Sequence, residues 1–106
     1  MRNGITAEHF DDKDGNPAGG TTFGVGFAIG WQNGPLGRGA DRKQPNGAFV
    51  EDVIDSCIDR LKYYQKSPFA CESNAQAIQN LVSALAHLEL RTRDREKRLV
   101  EGTHEE

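Results

Sequence analysis

Cysteine is scarce in this chain: Cys57 and Cys71 are the only two. Two cysteines without an extracellular cue do not make a disulfide framework, so both are expected as reduced thiols in a cytoplasm. Each falls beside or within an apolar helical face, where free cysteine packs as a small hydrophobe. Apolar residues are also thin, at 36% of the chain with a mean hydropathy of -0.68. A domain of 106 residues buries a modest fraction of its surface, and self-association is the usual remedy. Positive charge is in deficit, with a net charge of -3 and a pI of about 5.6. That argues against general binding to DNA or RNA, which needs a surplus of Lys and Arg. It leaves room for a local basic pocket that takes a small anion. No apolar run approaches the ~20 residues of a membrane span. Met1 to Asp14 is polar, so no signal peptide is expected.

What is present divides into a glycine-rich front and a helical back. Residues 1–20 read as a polar N-terminal arm, with Asp11, Asp12, Lys13, Asp14, Gly15 and Asn16 marking a turn. Over residues 21–33, Phe23, Val25, Phe27, Ile29 and Trp31 alternate with Gly24, Gly26, Ala28, Gly30 and Gln32. Period two predicts a strand or a bent pair of strands, with one large apolar face and one nearly bare. Residues 34–47 form a turn-rich connector that carries Arg38, Arg42 and Lys43.

The spacing predicts a first helix over residues 48–65, with Asn46 able to cap it. Its apolar side holds Phe49, Val50, Val53, Ile54, Cys57, Ile58, Leu61 and Tyr64. Lys66-Ser67-Pro68 ends it. A second helix starts between Ser67 and Ser73 and is placed over residues 70–99, with a stripe of Ile78, Leu81, Val82, Leu85, Leu88 and Thr92. Residues 100–106 are a short tail. The expected fold class is α+β: an N-terminal antiparallel β-hairpin, then a long antiparallel two-helix hairpin. Two helices cannot bury stripes this wide against each other, so further copies of the chain are expected to join.

Three features of the helices are candidate site residues. Arg91, Arg93, Arg95, Lys97 and Arg98 are interleaved with Asp94 and Glu96. Composition alone favours a solvated helix end, where cations complement the helix dipole. Position sharpens this: Arg91 and Arg95 lie one turn apart at the edge of the stripe, and two guanidinium forks can grip a phosphate or pyrophosphate. Tyr64 ends the apolar face of the first helix. A rim tyrosine is the commoner case, and a stacking plate for a base is the functional one; Tyr63 points off the stripe. Asn74 sits on the stripe and must find hydrogen-bond partners, either by cross-linking the helices or by reading a polar ligand edge.

Asn74 and Arg91 lie roughly 25 Å apart along a straight helix. One small ligand cannot touch both on one chain, so a shared pocket requires two antiparallel copies. Other signals are decoys. Gly24-x-Gly26 with Gly30 has the wrong spacing for a dinucleotide loop. His9, His87 and His104 lack ligand-like spacing with the cysteines. No nucleophile-and-base set is suggested by position, so no enzymatic activity and no cofactor are expected.

One group of motifs resembles a known family. Trp31-Gln32-Asn33-Gly34-Pro35-Leu36, Asn46-Gly47-Ala48-Phe49-Val50-Glu51-Asp52-Val53 and Arg60-Leu61-Lys62-Tyr63-Tyr64-Gln65 look like the first Thoeris anti-defence family of phage proteins. So do Phe69-Ala70-Cys71 with Asn74, Arg91-Thr92-x-Asp94-Arg95, and Val100-Glu101-Gly102-Thr103-His104. The resemblance covers about residues 22–104, and the helical hairpin is similar to that of phage anti-CBASS sponges. It implies binding of cyclic ADP-ribose isomers made by bacterial Toll/interleukin-receptor domain proteins. The signal is held in the host cytoplasm without being cleaved. Some members also hold cyclic oligonucleotides at a second site of a hexamer built from dimers.

The family's binding residues map onto Tyr64, Asn74, Arg91 and Arg95. Tyr64 departs from the phenylalanine associated with that position; stacking survives the change, while ligand preference can shift. Lys66 with Arg38 and Arg42 is offered for the second site, and Trp31 as a further contact. The competing readings are a helical self-assembling interaction module, a hydrolase of the cyclic signal and a nucleic-acid binder, the last disfavoured by the acidic pI.

Overall fold

The computed structural model describes residue 2, residues 4–37 and residues 39–98, the last by its backbone. Arg38 of the basic cluster, the expected helix end at Leu99 and the tail 100–106 lie outside the described residues. The chain is α+β, a three-stranded antiparallel sheet followed by two helices. It forms two compact units, one running to Phe49 and one starting at Val50.

The first unit is the sheet, with β1 (Thr6–Asp11), β2 (Pro17–Gly24) and β3 (Phe27–Trp31) in that spatial order. Residues 1–20, expected as an arm, contribute all of β1 and the first part of β2. The turn read in the sequence is there, but it joins two strands. The Asp12 carboxylate accepts from the amides of Asp14 and Asn16 at 2.9 and 3.0 Å. Gly15 takes a positive φ of 84°, which a residue without Cβ adopts at little cost. β1 escaped the hydropathy pattern because it pairs through its backbone while its side chains stay mostly solvent-exposed.

The single apolar face expected over 21–33 is split. Val25 and Gly26 form a two-residue turn, so Gly24 pairs with Phe27, Thr22 with Ile29 and Gly20 with Trp31. Phe23 pairs instead with Ala28, on the opposite face. Side chains alternate with period two, and an even-numbered turn shifts odd residues of one strand onto the face of even residues of the next. Val25, at the turn, is 99% exposed. Trp31 lies on the face with Thr22, and its indole Nε1 donates to Thr22 Oγ1 at 2.9 Å.

A strap crosses the free edge of β3. Ala48 makes a parallel bridge to Trp31. Its amide donates to the Gly30 carbonyl at 2.7 Å, and its carbonyl accepts from Gln32 N at 2.9 Å. Asn46, expected as a helix cap, belongs to this strap. Its Oδ1 accepts from Asn33 N at 2.8 Å and its Nδ2 donates to Asn33 O at 3.0 Å. Its own amide donates to Gln32 Oε1 at 2.9 Å.

The second unit is an antiparallel pair of helices, α1 (Val50–Gln65) and α2 (Glu72–Arg98). α1 starts later than the expected residue 48, since Ala48 is engaged with β3. α2 starts at Glu72, with the Cys71 carbonyl accepting the first helical bond from Ala75 N at 3.2 Å. This start falls within the expected span of Ser67 to Ser73, though neither serine opens the helix: Ser67 serves the turn, its hydroxyl accepting from Phe69 N at 3.1 Å. Between the helices Ile58 is buried, at 5% exposure, the one buried hydrophobic side chain among the described residues. Val53, Ile54 and Leu61 of α1, with Ile78, Leu81, Leu85 and Leu88 of α2, are half-buried around it. Val50, Cys57 and Val82, expected within the stripes, are exposed. No helix is long and apolar enough to cross a membrane among the described residues.

A Cβ at Gly47 meets the Trp31 carbonyl carbon at 2.5 Å and Gln32 N at 2.7 Å, both backbone atoms that cannot swing aside. Gly47→Ala is therefore expected to break the strap and cost about 1–3 kcal/mol, the range for buried backbone groups losing their partners. Gly30→Ala, which meets nothing within 4 Å, serves as the control and should stay within ~1 kcal/mol. Denaturant unfolding of both variants checks the difference.

Candidate functional site

The residues singled out in the helices fall at two ends of the hairpin. At the turn end, Gln65, the last residue of α1, spans the link. Its Oε1 accepts from Cys71 N at 3.0 Å and its Nε2 donates to Cys71 O at 3.1 Å. Asn74 completes this knot: its Nδ2 donates to Gln65 Oε1 at 3.1 Å and to the Phe69 carbonyl at 3.3 Å. Its Oδ1 makes no hydrogen bond among the described residues. Asn74 thus has a cross-linking role and retains one acceptor.

Tyr64 is half-buried beside this knot, and Tyr63 is exposed. Their ring centroids are 6.2 Å apart, tilted by 53°. Arg60, one turn earlier on α1, lays its guanidinium over both rings, at 5.0 Å from the Tyr63 centroid and 5.1 Å from that of Tyr64. Its Nε donates to the Tyr64 hydroxyl at 3.3 Å. That hydrogen bond, then the charge interaction with Tyr64, holds the guanidinium above the ordinary arginine value. Site assignment from the sequence missed Arg60. The available signal was its spacing, three and four residues before two aromatics, which puts all three on adjoining helix rows. Lys66 is exposed just past the end of α1.

At the other end lie Arg91 and Arg95. Arg91 Nη2 is 3.8 Å from Glu51 Oε2, and its side chain stays 57% exposed; an ion pair this open is worth about 0–1 kcal/mol. Glu51 is in the first turn of α1, so α2 runs on past the end of its partner helix. The core-facing row of α2 continues through Thr92 and Arg95 at heptad-like spacing from Leu81 and Leu88. Both are exposed. His87, Leu90, Arg91, Asp94 and Arg95 border one open surface depression. The structure does not bring Tyr64 and Asn74 together with Arg91 and Arg95 on one chain; 1.5 Å of rise per residue keeps Asn74 and Arg91 roughly 25 Å apart.

No family model matches the chain. A curated relative does. It is a protein named Thoeris anti-defense 1 from Bacillus phage SBSphiJ7, 53% identical over 60 residues. The matched stretch takes in 57% of this chain and 42% of the relative, so the chain matches less than half of that protein's length.

The remaining candidates belong to the sheet unit. Trp31 is half-buried, its indole N–H engaged by Thr22. Arg42 is exposed after the 3-10 turn Gly39–Asp41, its amide donating to Gly39 O at 3.2 Å. Among the described residues no three His, Cys, Asp or Glu side chains converge as metal ligands. Both cysteines are free and exposed.

The cross-linking role of Asn74 makes a directional prediction. Asn74→Asp replaces a donor with a carboxylate oxygen aimed at two acceptors, Gln65 Oε1 and Phe69 O. A loss of about 1–3 kcal/mol is expected, larger than for Asn74→Ala, because the variant leaves partners unsatisfied and repels them. Thermal unfolding at pH 7 measures it. Lowering the pH until the introduced carboxylate protonates should restore part of the loss, since the neutral acid donates again.

Proposed function

We propose that this chain is a phage anti-defence protein that binds cyclic ADP-ribose isomers and sequesters them uncleaved in the host cytoplasm. One observation carries the reading: Arg91 stands against the first turn of α1 and Arg95 one turn further along α2, a helix length away from an aromatic and an amide with a free acceptor. Two antiparallel copies bring these ends together. Arg91 and Arg95 of one copy then meet the pyrophosphate, where guanidinium forks bind bidentately. Tyr64 of the other stacks on adenine, and Asn74 offers its Oδ1 to a polar edge. The name of the phage relative supports the anti-defence role. The sparse core supports assembly, a dimer or a trimer of dimers, since Phe69 is 77% and Val82 50% exposed on the single chain. A sponge needs slow release and no activated nucleophile. The family resemblance also implies cyclic di- and trinucleotides as a second ligand class.

The apolar exposure also favours a second reading, a helical module that only self-assembles. The two part on one experiment. The purified chain is incubated with cyclic ADP-ribose isomers, sized by light scattering, then heated, and the released ligand is weighed by mass spectrometry. The sponge returns intact ligand. Arg91→Ala and Arg95→Ala each weaken uptake about tenfold or more, as expected for charge-assisted contacts, with the assembly size unchanged. Assembly with no uptake by the parent supports the module; uptake that both variants leave intact overturns the role of the arginines; ligand of altered mass supports a hydrolase.

A further inference from the structure

We propose that Arg60 is a positioning residue that fixes the Tyr64 ring and decides which of its faces receives a base. The inference rests on the stacking role given to Tyr64 above. Three observations define the arrangement. The Arg60 guanidinium stands 5.1 Å from the Tyr64 centroid, so one ring face already carries a cation. The same group stands 5.0 Å from Tyr63, and the two ring centroids are 6.2 Å apart, so the guanidinium bridges neighbouring rings. Its Nε–H reaches the Tyr64 hydroxyl at 3.3 Å.

A tyrosine ring on a helix turns about its last torsion, whose axis runs through the hydroxyl, unless a group packs on its face. Here Cβ anchors the root to α1, and Arg60 holds the tip and covers one face. A flat base can then approach only the uncovered face, against a ring whose tilt is already set. Pre-setting the ring reduces the ordering cost of binding. The aromatic end thereby selects for the base of a nucleotide, whereas the distant arginine pair recognises only its phosphates.

The test measures two probes on the full chain by calorimetry: cyclic ADP-ribose, and inorganic pyrophosphate, which has no base. Arg60→Gln should weaken cyclic ADP-ribose binding about tenfold, the upper part of the range for a guanidinium–aromatic contact, and leave pyrophosphate within about twofold. Arg60→Lys keeps a cation over the rings but loses the Nε–H, and should fall between. Tyr64→Phe removes the acceptor, so adding Arg60→Gln to it should cost less than the two single losses multiplied. Without any ligand, the Tyr64 ring resonances should shift in Arg60→Gln, while helicity by circular dichroism stays that of the parent. Equal weakening of both probes makes Arg60 a direct phosphate contact and overturns the proposal. Unchanged cyclic ADP-ribose affinity with unmoved ring resonances overturns it too. Should the parent take up pyrophosphate and no cyclic ADP-ribose, the stacking role of Tyr64 fails, and this proposal fails with it.

Discussion

The side-chain amide of Gln65 sets the register of the helical unit. By holding both backbone groups of Cys71 and the amide of Asn74, it fixes where α2 begins relative to the end of α1. Each residue of delay in that start would turn the face of α2 by about 100°. The observed start aims Leu81 and Leu88 at α1, sets Arg91 against Glu51 and leaves Arg95 on the same row beyond the partner helix. The two candidate ends are therefore placed by one contact in the turn, although neither arginine is near it.

Burial explains why this register leaves work undone. A 16-residue helix cannot cover a 27-residue one. The apolar arc of α1 is also wider than one neighbour can mask: Ile58 is covered while Val50 and Cys57, on its flank, are exposed. At ~25 cal/mol per Å² of apolar surface removed from water, the uncovered flank is an unused source of stabilisation that a second copy can supply. Assembly and ligand binding then draw on the same surface, which is why the proposed pocket lies at a boundary.

Much of the helical unit was legible in the sequence, because its apolar residues recur at the period of the helix. Its ends were less so. Ala48 fits a helix by propensity and is taken by the edge of β3; Asn46 has the chemistry of a cap and spends it on Asn33. The N-terminus of α2 is held by Gln65 from the preceding helix, a contact that no local pattern reveals. In the sheet, the alternation of Phe23 to Trp31 was real but crosses a two-residue turn, so one apparent face became two. β1 carries too little apolar signal to register, and it pairs with β2 through its backbone. At the candidate site, the spacing of Arg91 and Arg95 and their distance from Asn74 follow from helix geometry. Arg60 did not stand out, because a lone arginine on a polar face looks like ordinary solvation until the two rings beside it are placed.

The Asn46 strap has a consequence for how this chain can change. Asn33 and Asn46 bond reciprocally through backbone and amide, closing the neck of an excursion that leaves β3 and returns beside it. Within it, Lys43 N donates to Leu36 O at 2.6 Å, a second closure inside the first. Loop-closure entropy rises only slowly with length, so insertions between these clasps disturb neither the strand behind them nor the helix that follows. Arg42 thus lies on a stretch whose length can change without reopening either clasp.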